Sequence, residues 1–339
     1  MKLKAILFLL VCLAGIGKVH AQLFPPLGGE RAGISALTFL KLQTDPRAEA
    51  MGGAQISLPG DGYSSQWNPA TMTELEYKTI AISDRVMPAG ILNSYASLVL
   101  PLKNNAALGF SIIDLYSGEI EKTTVYQPQG TGVYVSSSNL AVGVSYAKVL
   151  SDFFSIGVGV KYIREQLAEF YANTLAVDLG FLYKTDFKDL RFAVMLSNFG
   201  PNSTLSGTLP QTTFIPISAE TIDNYPVSGE FKLGISFVPY KTELKKLTCI
   251  LQLNHPNDDA ENISLGFEYN YYKILFLRLG YKINVKDQNY PAAGVGLLTH
   301  LGNNPLHIDY AVSTSNTFQI VNTLGLSLSI NNKKRDDKK

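Results

Sequence analysis

Ile263-Ser-Leu-Gly-Phe-Glu-Tyr-Asn-Tyr271 puts Ile263, Leu265, Phe267, Tyr269 and Tyr271 on one side of a strand and Ser264, Gly266, Glu268 and Asn270 on the other. Side chains alternate across a strand with period two, so the stretch fits a two-faced sheet and not a helix. The same rhythm recurs in Leu140 to Tyr146, Ile156 to Tyr162, Leu175 to Tyr183 and Leu324 to Ile330. In every copy the bulky set is apolar, while the opposite set is small, polar or charged. A soluble sandwich would fill its interior with the bulky set and put the polar set in water. A transmembrane barrel turns the bulky set outward to lipid, and that is the fold class the pattern predicts: an all-β membrane protein.

Working outward, alternation and turn chemistry give fourteen strands, near 75–86, 91–101, 105–116, 139–150, 153–165, 172–184, 190–199, 226–239, 246–254, 262–271, 273–284, 291–300, 305–314 and 318–330. The ninth alternates weakly, which leaves twelve or sixteen as other counts. Short breaks such as Lys103-Asn104 and Ser151-Asp152 follow every second strand. Between them fall longer segments, Ser117–Asn139, Gln166–Tyr171, Gly200–Tyr225 and His255–Glu261. Barrels of this kind have tight periplasmic turns and longer outer loops, so both termini are expected in the periplasm.

The beginning of the chain supplies the export route. Lys2 and Lys4 precede an apolar run from Ala5 to Ile16, and Val19-His20-Ala21 resembles a cleavage site, so residues 1–21 read as a secretory signal peptide. Val11 stands where a lipobox has a small residue, so Cys12 reads as an ordinary signal residue. No later run of about 18 apolar residues suggests a helical span.

Composition agrees. Apolar residues make up 46% and charged residues 17%, below the ~25% charged of ordinary soluble domains. Eighteen Tyr and seventeen Phe against one Trp suit the aromatic girdles of a barrel. The formal charge of +1 includes Lys2, Lys4 and Lys18, so the chain without its signal is near −2 and has no basic surplus for nucleic acid. Cys249 then stands alone and has no internal disulfide partner.

About fifty residues precede the first strand. In Thr44-Asp-Pro-Arg-Ala-Glu-Ala-Met-Gly-Gly53, Asp45 caps a short helix, Pro46 opens it, and Gly52-Gly53 stops it. The stretch Asp61-Gly-Tyr-Ser-Ser-Gln-Trp-Asn-Pro-Ala70 holds the only Trp. A fourteen-strand barrel is too wide for its own side chains to fill, so residues 22–74 are expected to form a hatch inside the lumen, a periplasmic cap being the other reading. The barrel then occupies 75–330 and a charged tail 331–339.

Phe39-Leu-Lys-Leu42, Asp45-Pro-Arg-Ala-Glu-Ala-Met-Gly-Gly-Ala54 and Gln66-Trp-Asn-Pro-Ala70 together resemble the N-terminal signature of the PorV/PorQ proteins of Bacteroidetes, relatives of the FadL outer-membrane channels. The resemblance marks Asp45, Arg47, Gly52, Gly53, Trp67, Asn68, Pro69 and Ala70 as the hatch motif. It implies a fourteen-strand barrel and a role at the type IX secretion system, with the translocon or a secreted cargo protein as partner. The alternative it carries is a FadL-like transporter with a hydrophobic ligand in the lumen, for which Pro101 and Pro291 would mark a side opening.

Candidate chemistry is sparse. Asp114, Lys148, Lys161, Asp178, Lys232, Glu268, Arg278 and Asp309 are expected to point into the lumen as a polar network. His307 and Asp309 share a face two residues apart, a spacing compatible with proton transfer or a metal, though no second His lies near. Asn257-Asp-Asp-Ala-Glu261 reads as a solvated acidic loop, with calcium as a minor alternative. No Gly-x-Ser-x-Gly, Walker, His-Glu-x-x-His or Cys-x-x-Cys pattern occurs. Gly157-Val-Gly159 reads as a strand pair permitting curvature. The chain is therefore expected to be no enzyme and to need neither metal nor cofactor.

Overall fold

The structure is a computed structural model in which residues 33–207, 224–285, 291–317 and 319–330 are described. The expected signal peptide (1–21), the first residues of the expected hatch (22–32) and the expected tail (331–339) lie outside these residues.

Fourteen antiparallel strands form one closed barrel. They are β1 (Lys78–Val86), β2 (Leu92–Leu102), β3 (Ala106–Tyr116), β4 (Ser137–Ser151), β5 (Phe154–Leu167), β6 (Phe170–Lys184) and β7 (Arg191–Phe199), then β8 (Glu230–Lys241), β9 (Lys245–Pro256), β10 (Asn262–Tyr271), β11 (Leu275–Ile283), β12 (Ala292–Leu301), β13 (Asn304–Ser315) and β14 (Gln319–Ile330). Each pairs with its sequence neighbour, and β1 closes on β14 with Lys78 opposite Ile330. Closure removes the unpaired strand edges that hydrocarbon does not tolerate.

In β10 the deciding stretch behaves as its pattern requires. Phe267 is 46% exposed on the outer face, whereas Ser264 is 0% exposed and Glu268 6% exposed on the inner one. Leu277, Leu279, Val160, Leu175 and Leu324 repeat the outward set on other strands. The free Cys249 is half-buried and shares its face with Leu247 and Leu251. The weakly alternating ninth strand is a full member, because its inward positions are filled by Gln252 and Asn254, buried polar residues that blur the sequence rhythm.

At one end of the barrel the strands are joined by tight turns, such as Lys103–Asn105, where Asn104 and Asn105 adopt positive φ. The other end carries the longer connections. One expected long loop is absent there: the β5–β6 ladder continues to Leu167 opposite Phe170, so residues 166–171 make a tight turn through Ala168. Pro101 sits opposite Ala107 within an unbroken β2–β3 ladder, and Pro291 precedes β12, so neither opens the wall. The ladder shifts instead at Val149/Ser151, Val177/Leu179 and Phe237/Tyr240.

Residues 37–74 lie inside the barrel as two short helices, α1 (Pro46–Ala50) and α2 (Ser64–Trp67), with 3-10 turns at Thr38–Lys41 and Pro69–Glu74. The main apolar core is shared between this plug and the wall: Leu37, Phe39, Tyr63 and Trp67 pack with Tyr95, Ile113, Ile163 and Val227.

Candidate functional site

The wall is shaped to receive the plug. A Cβ added at Gly234 would lie 2.6 Å from Ile56 Cγ1, and one at Gly266 would lie 2.8 Å from Met51 Cβ. At Gly280 it would collide with the backbone of Met51 and Gly52, and at Gly180 with Asn68 Oδ1. Gly157 belongs to the same set, since its Cβ would come within 2.5 Å of Pro69 C. Of the pair read as permitting curvature, Gly157 is thus a place where the plug backbone touches the sheet, whereas Gly159 faces Ser145 and Asp178 of the wall.

The local folding of the plug follows its capping chemistry. Asp45 caps α1 by accepting from Arg47 N at 2.8 Å, and Pro46 occupies the first helical position. Gly52 and Gly53 have φ of +64° and +79°, the left-handed region that ends the helix and suits glycine. Asn68 makes three bonds at once: Oδ1 accepts from Ala70 N at 3.0 Å, and Nδ2 donates to Ile56 O at 2.9 Å and to Phe181 O of β6 at 3.2 Å. One side chain therefore caps the next turn, ties the plug to itself and pins it to the wall. Pro69 and Ala70 are buried beside it.

The motif residues and the lumen charges are separate sets in the sequence, and the structure joins several of them. Arg47 donates Nε to Glu268 Oε2 at 2.9 Å and Nη2 to Glu268 Oε1 at 3.0 Å, a bidentate pair between α1 and β10. Its Nη1 donates to Asp61 Oδ2 at 3.1 Å and to Pro59 O at 3.2 Å. Arg278 of β11 donates to Glu268 Oε2 at 2.8 Å and to Asp309 of β13 at 2.5 Å. It reaches across β12 because Gly296 leaves the path empty; a Cβ there would come within 2.8 Å of Arg278 Nη1. Buried charges are tolerated when paired and hydrogen-bonded, and this cluster meets that condition with two guanidinium groups.

Lys161 and Asp178 form a separate buried pair at 2.8 Å, with Lys161 Nζ also donating to Asn198 Oδ1 at 2.6 Å. Lys232 pairs with Glu230 at 2.7 Å and lies 5.4 Å from the centre of the Trp67 ring, the cation–π contact that the single tryptophan makes.

Two of the eight expected lumen charges face outward. Asp114 is in phase with the exposed Phe110 and Ile112, and Lys148 with the exposed Val144 and Tyr146. Both sit within a few residues of a strand end, where a charged side chain reaches the headgroup region, so the expectation that charges face inward does not apply.

Sequence reading missed other anchors. Arg85 donates to Glu49 Oε2 and to Gln43 O, each at 3.0 Å, and Arg191 holds Glu74 at 2.8 Å. Gln252 grips the backbone, accepting from Gln55 N at 2.9 Å and donating to Gly53 O at 3.1 Å. The acidic stretch 257–261 is only partly a solvated loop: Asp258 is buried and takes Lys41 Nζ at 2.5 Å and Ser228 Oγ at 3.0 Å, which ties the start of the plug to the long-loop rim. Asp258 lies in a loop and carries no period, and although Arg85, Arg191 and Gln252 sit on strands, nothing in the sequence marks which plug residues they meet.

His307 stacks against Phe276 with ring centres 5.6 Å apart and lines a cavity of about 150 Å³ beside Asp45, Arg47, Asp61 and Asp309. Among the described residues no three His, Cys, Asp or Glu side chains converge as metal ligands. A larger apolar depression, about 470 Å³, lies on the outer face of β7, β8, β9 and β10, lined by Val194, Leu233, Ile235, Leu251 and Ile263.

The family model described as "Type IX secretion system protein PorV" matches residues 28–191, which span the plug and the first strands of the wall. No curated protein matches the sequence. Among solved structures, the chain is similar to the CymD monoaromatic hydrocarbon channel, with TM-score 0.59 and 13% identity over 86% of this chain and 98% of that one. The Ralstonia pickettii toluene transporter TbuX gives 0.53 and 13% over 84% and 98%, and a Pseudomonas aeruginosa FadL homologue gives 0.53 and 11% over 88% and 99%. At such identities the likeness is one of fold. With the plug seated in the lumen and the family match running through it, the chain is similar over residues 28–191 to the type IX secretion system protein PorV and has the fold of the FadL-like outer-membrane barrels.

Proposed function

We propose that this protein is a binding or shuttle component of the type IX secretion system and acts by holding a partner or a cargo protein, not by catalysis. The observation that carries the reading is the latched plug. Arg47 to Glu268, Arg85 to Glu49, Arg191 to Glu74 and Lys41 to Asp258 fasten it to four regions of the barrel, and a cylinder closed in this way offers surfaces more than a conduit. In this reading residues 1–21 are the cleaved signal, 22–74 the hatch, 75–330 the barrel and 331–339 a periplasmic tail. Both termini face the periplasm, because the tight turns lie on their side. The hatch motif and the inward charges serve as its latch.

The test is affinity purification from native membranes in mild detergent, with the secretion translocon and its cargo scored by mass spectrometry. Their recovery with this chain supports the proposal, as does loss of cargo secretion on deletion of the gene. Recovery of the barrel alone, with secretion intact, overturns it.

A second reading has its own observation. The apolar depression on the outer wall lies over Gly234, directly outside Ile56 of the plug, and the toluene transporter named above shares the fold. A hydrophobic small molecule passing through the wall there would require Ile56 to move. Uptake of a radiolabelled apolar solute that depends on the barrel, with secretion unaffected, would establish transport instead.

A further inference from the structure

The apolar depression of about 470 Å³ on the outer wall, lined by Val194, Leu233, Ile235, Leu251, Leu253 and Ile263, lies in line with a basic rim. From it an outward-facing strip runs to the tight-turn end along β8 and β9, with Phe237 opposite Cys249 and Tyr240 opposite Leu247, and ends where Lys241 meets Lys246. Lys245 is in phase with Leu247 and Leu251 on the same outer face, 5.7 Å from the centre of the exposed Tyr271 ring. Lys241 and Lys246 share one carboxylate, Asp189, at 3.0 and 3.7 Å. With Lys188 and Lys273 exposed in the neighbouring turns, these five lysines outnumber Asp186, Asp189 and Glu243 by two. The far end of the same strands has the opposite sign, with Asp258, Asp259 and Glu261 in the β9–β10 connection.

We infer that the depression seats an acyl chain of an anionic phospholipid of the periplasmic leaflet, whose phosphate rests on Lys241 and Lys245. A hollow on a lipid-facing wall is covered by lipid hydrocarbon, and the charge of the rim selects the headgroup. Leu251 stands six residues from Lys245, about 20 Å along the strand. With a strand tilt of about 40° this is about 15 Å along the membrane normal, half of the ~30 Å hydrocarbon core. A chain that starts at the lysines therefore ends in the depression. Basic side chains at a membrane surface attract anionic lipids, and Tyr240 and Tyr271, with apolar rings and polar tips, belong at the same headgroup level. The acidic end of the strands repels phosphates of the other leaflet. The seat rests on shape and charge alone, whereas its assignment to the periplasmic leaflet rests on the orientation proposed above. A resident chain also differs from a passing solute, because it requires no movement of Ile56.

The experiment incubates the full-length barrel, purified in a mild detergent, with equimolar phosphatidylglycerol and phosphatidylcholine of identical acyl chains, and weighs the retained lipid by native mass spectrometry. One phospholipid should survive collisional activation that strips the others, and it should be phosphatidylglycerol, by roughly fivefold for each lysine at the headgroup. Lys245→Gln should lower that preference roughly fivefold and leave retention of phosphatidylcholine, measured alone, unchanged. Leu251→Trp fills the depression from a lipid-facing position and should abolish retention of both lipids, whereas Val160→Trp, on the outer face of β5, should retain them. Thermal midpoints equal to wild type show that the variants fold. No retained lipid, equal retention of the two lipids, or a Leu251→Trp barrel that holds phosphatidylglycerol as wild type does would each overturn the inference. Barrel extracted from native membranes tests the orientation separately: a co-purified phospholipid supports the periplasmic leaflet, and lipid A in its place would overturn that assignment together with the orientation, even with the preference for phosphatidylglycerol intact.

Discussion

Replacing Arg47 by Met keeps most of the side-chain volume and removes the guanidinium that fastens α1 to the wall. Four hydrogen bonds disappear, two to Glu268 at 2.9 and 3.0 Å and one each to Asp61 at 3.1 Å and Pro59 O at 3.2 Å. Glu268 retains Arg278 at 2.8 Å, and Asp61 retains Gln55 Nε2 at 3.1 Å and Tyr63 N at 2.9 Å, so neither carboxylate is wholly abandoned. Breaking one partner out of a buried pair costs about 3–5 kcal/mol, and the surviving bonds place this case near the lower end. At 1.4 kcal/mol per decade, about 3 kcal/mol raises the population of a detached plug roughly a hundredfold. The only tryptophan of the chain, Trp67, lies in the plug at 5% exposure, so its emission reports the detachment without labelling. Acrylamide quenching of Trp67 should increase in Arg47→Met, planar-bilayer recordings should show openings that the wild type lacks, and Arg47→Lys should fall between the two. Quenching and conductance identical to wild type in a folded Arg47→Met barrel would refute the claim that this pair holds the plug.

The remaining predictions concern the fit of plug to wall and of wall to lipid. Gly280→Val places a branched side chain into the backbone of Met51 and Gly52; the overpacking should cost about 1–3 kcal/mol or displace the plug, read by the same quenching assay. Asn68→Ala removes a cap and two further bonds, so the plug around residues 56–70 should lose about 1–2 kcal/mol of protection in hydrogen exchange while strands far from it stay unchanged. On the outer face, Leu265→Arg should lower folding stability in lipid vesicles by about 2–4 kcal/mol, and Lys148→Leu, at the rim, should change it by far less. Equal effects at the two positions would contradict the assignment of Lys148 to the headgroup region.

The barrel was legible because its signal is repeated: a face of Ile263, Leu265 and Phe267 against Ser264, Gly266 and Glu268 has only one home, and thirteen other segments say the same in weaker form. The helix of the plug was legible through Asp45, Pro46 and Gly52-Gly53, whose backbone preferences are local. What could not be read was meeting in space. Glu268 and Arg278 lie opposite each other on neighbouring strands, and Arg47 joins them from 221 residues away; no local rule encodes that distance. Asp114 and Lys148 went astray for the opposite reason. Alternation places them outside, in phase with Ile112 and Tyr146, and a charge near a strand end can stand there because its side chain reaches the headgroups.

The seating of Met51, Ile56 and Pro69 against bare glycine backbone has a consequence for biogenesis. Residues 37–74 precede every stave of the cylinder and touch staves around it, from β2 and β3 through β5 and β8 to β11 and β13. Like a cask and the mould it is raised about, wall and contents share one fit, and a seam that closes between β1 and β14 without the plug in place leaves those bare glycines facing an empty vessel.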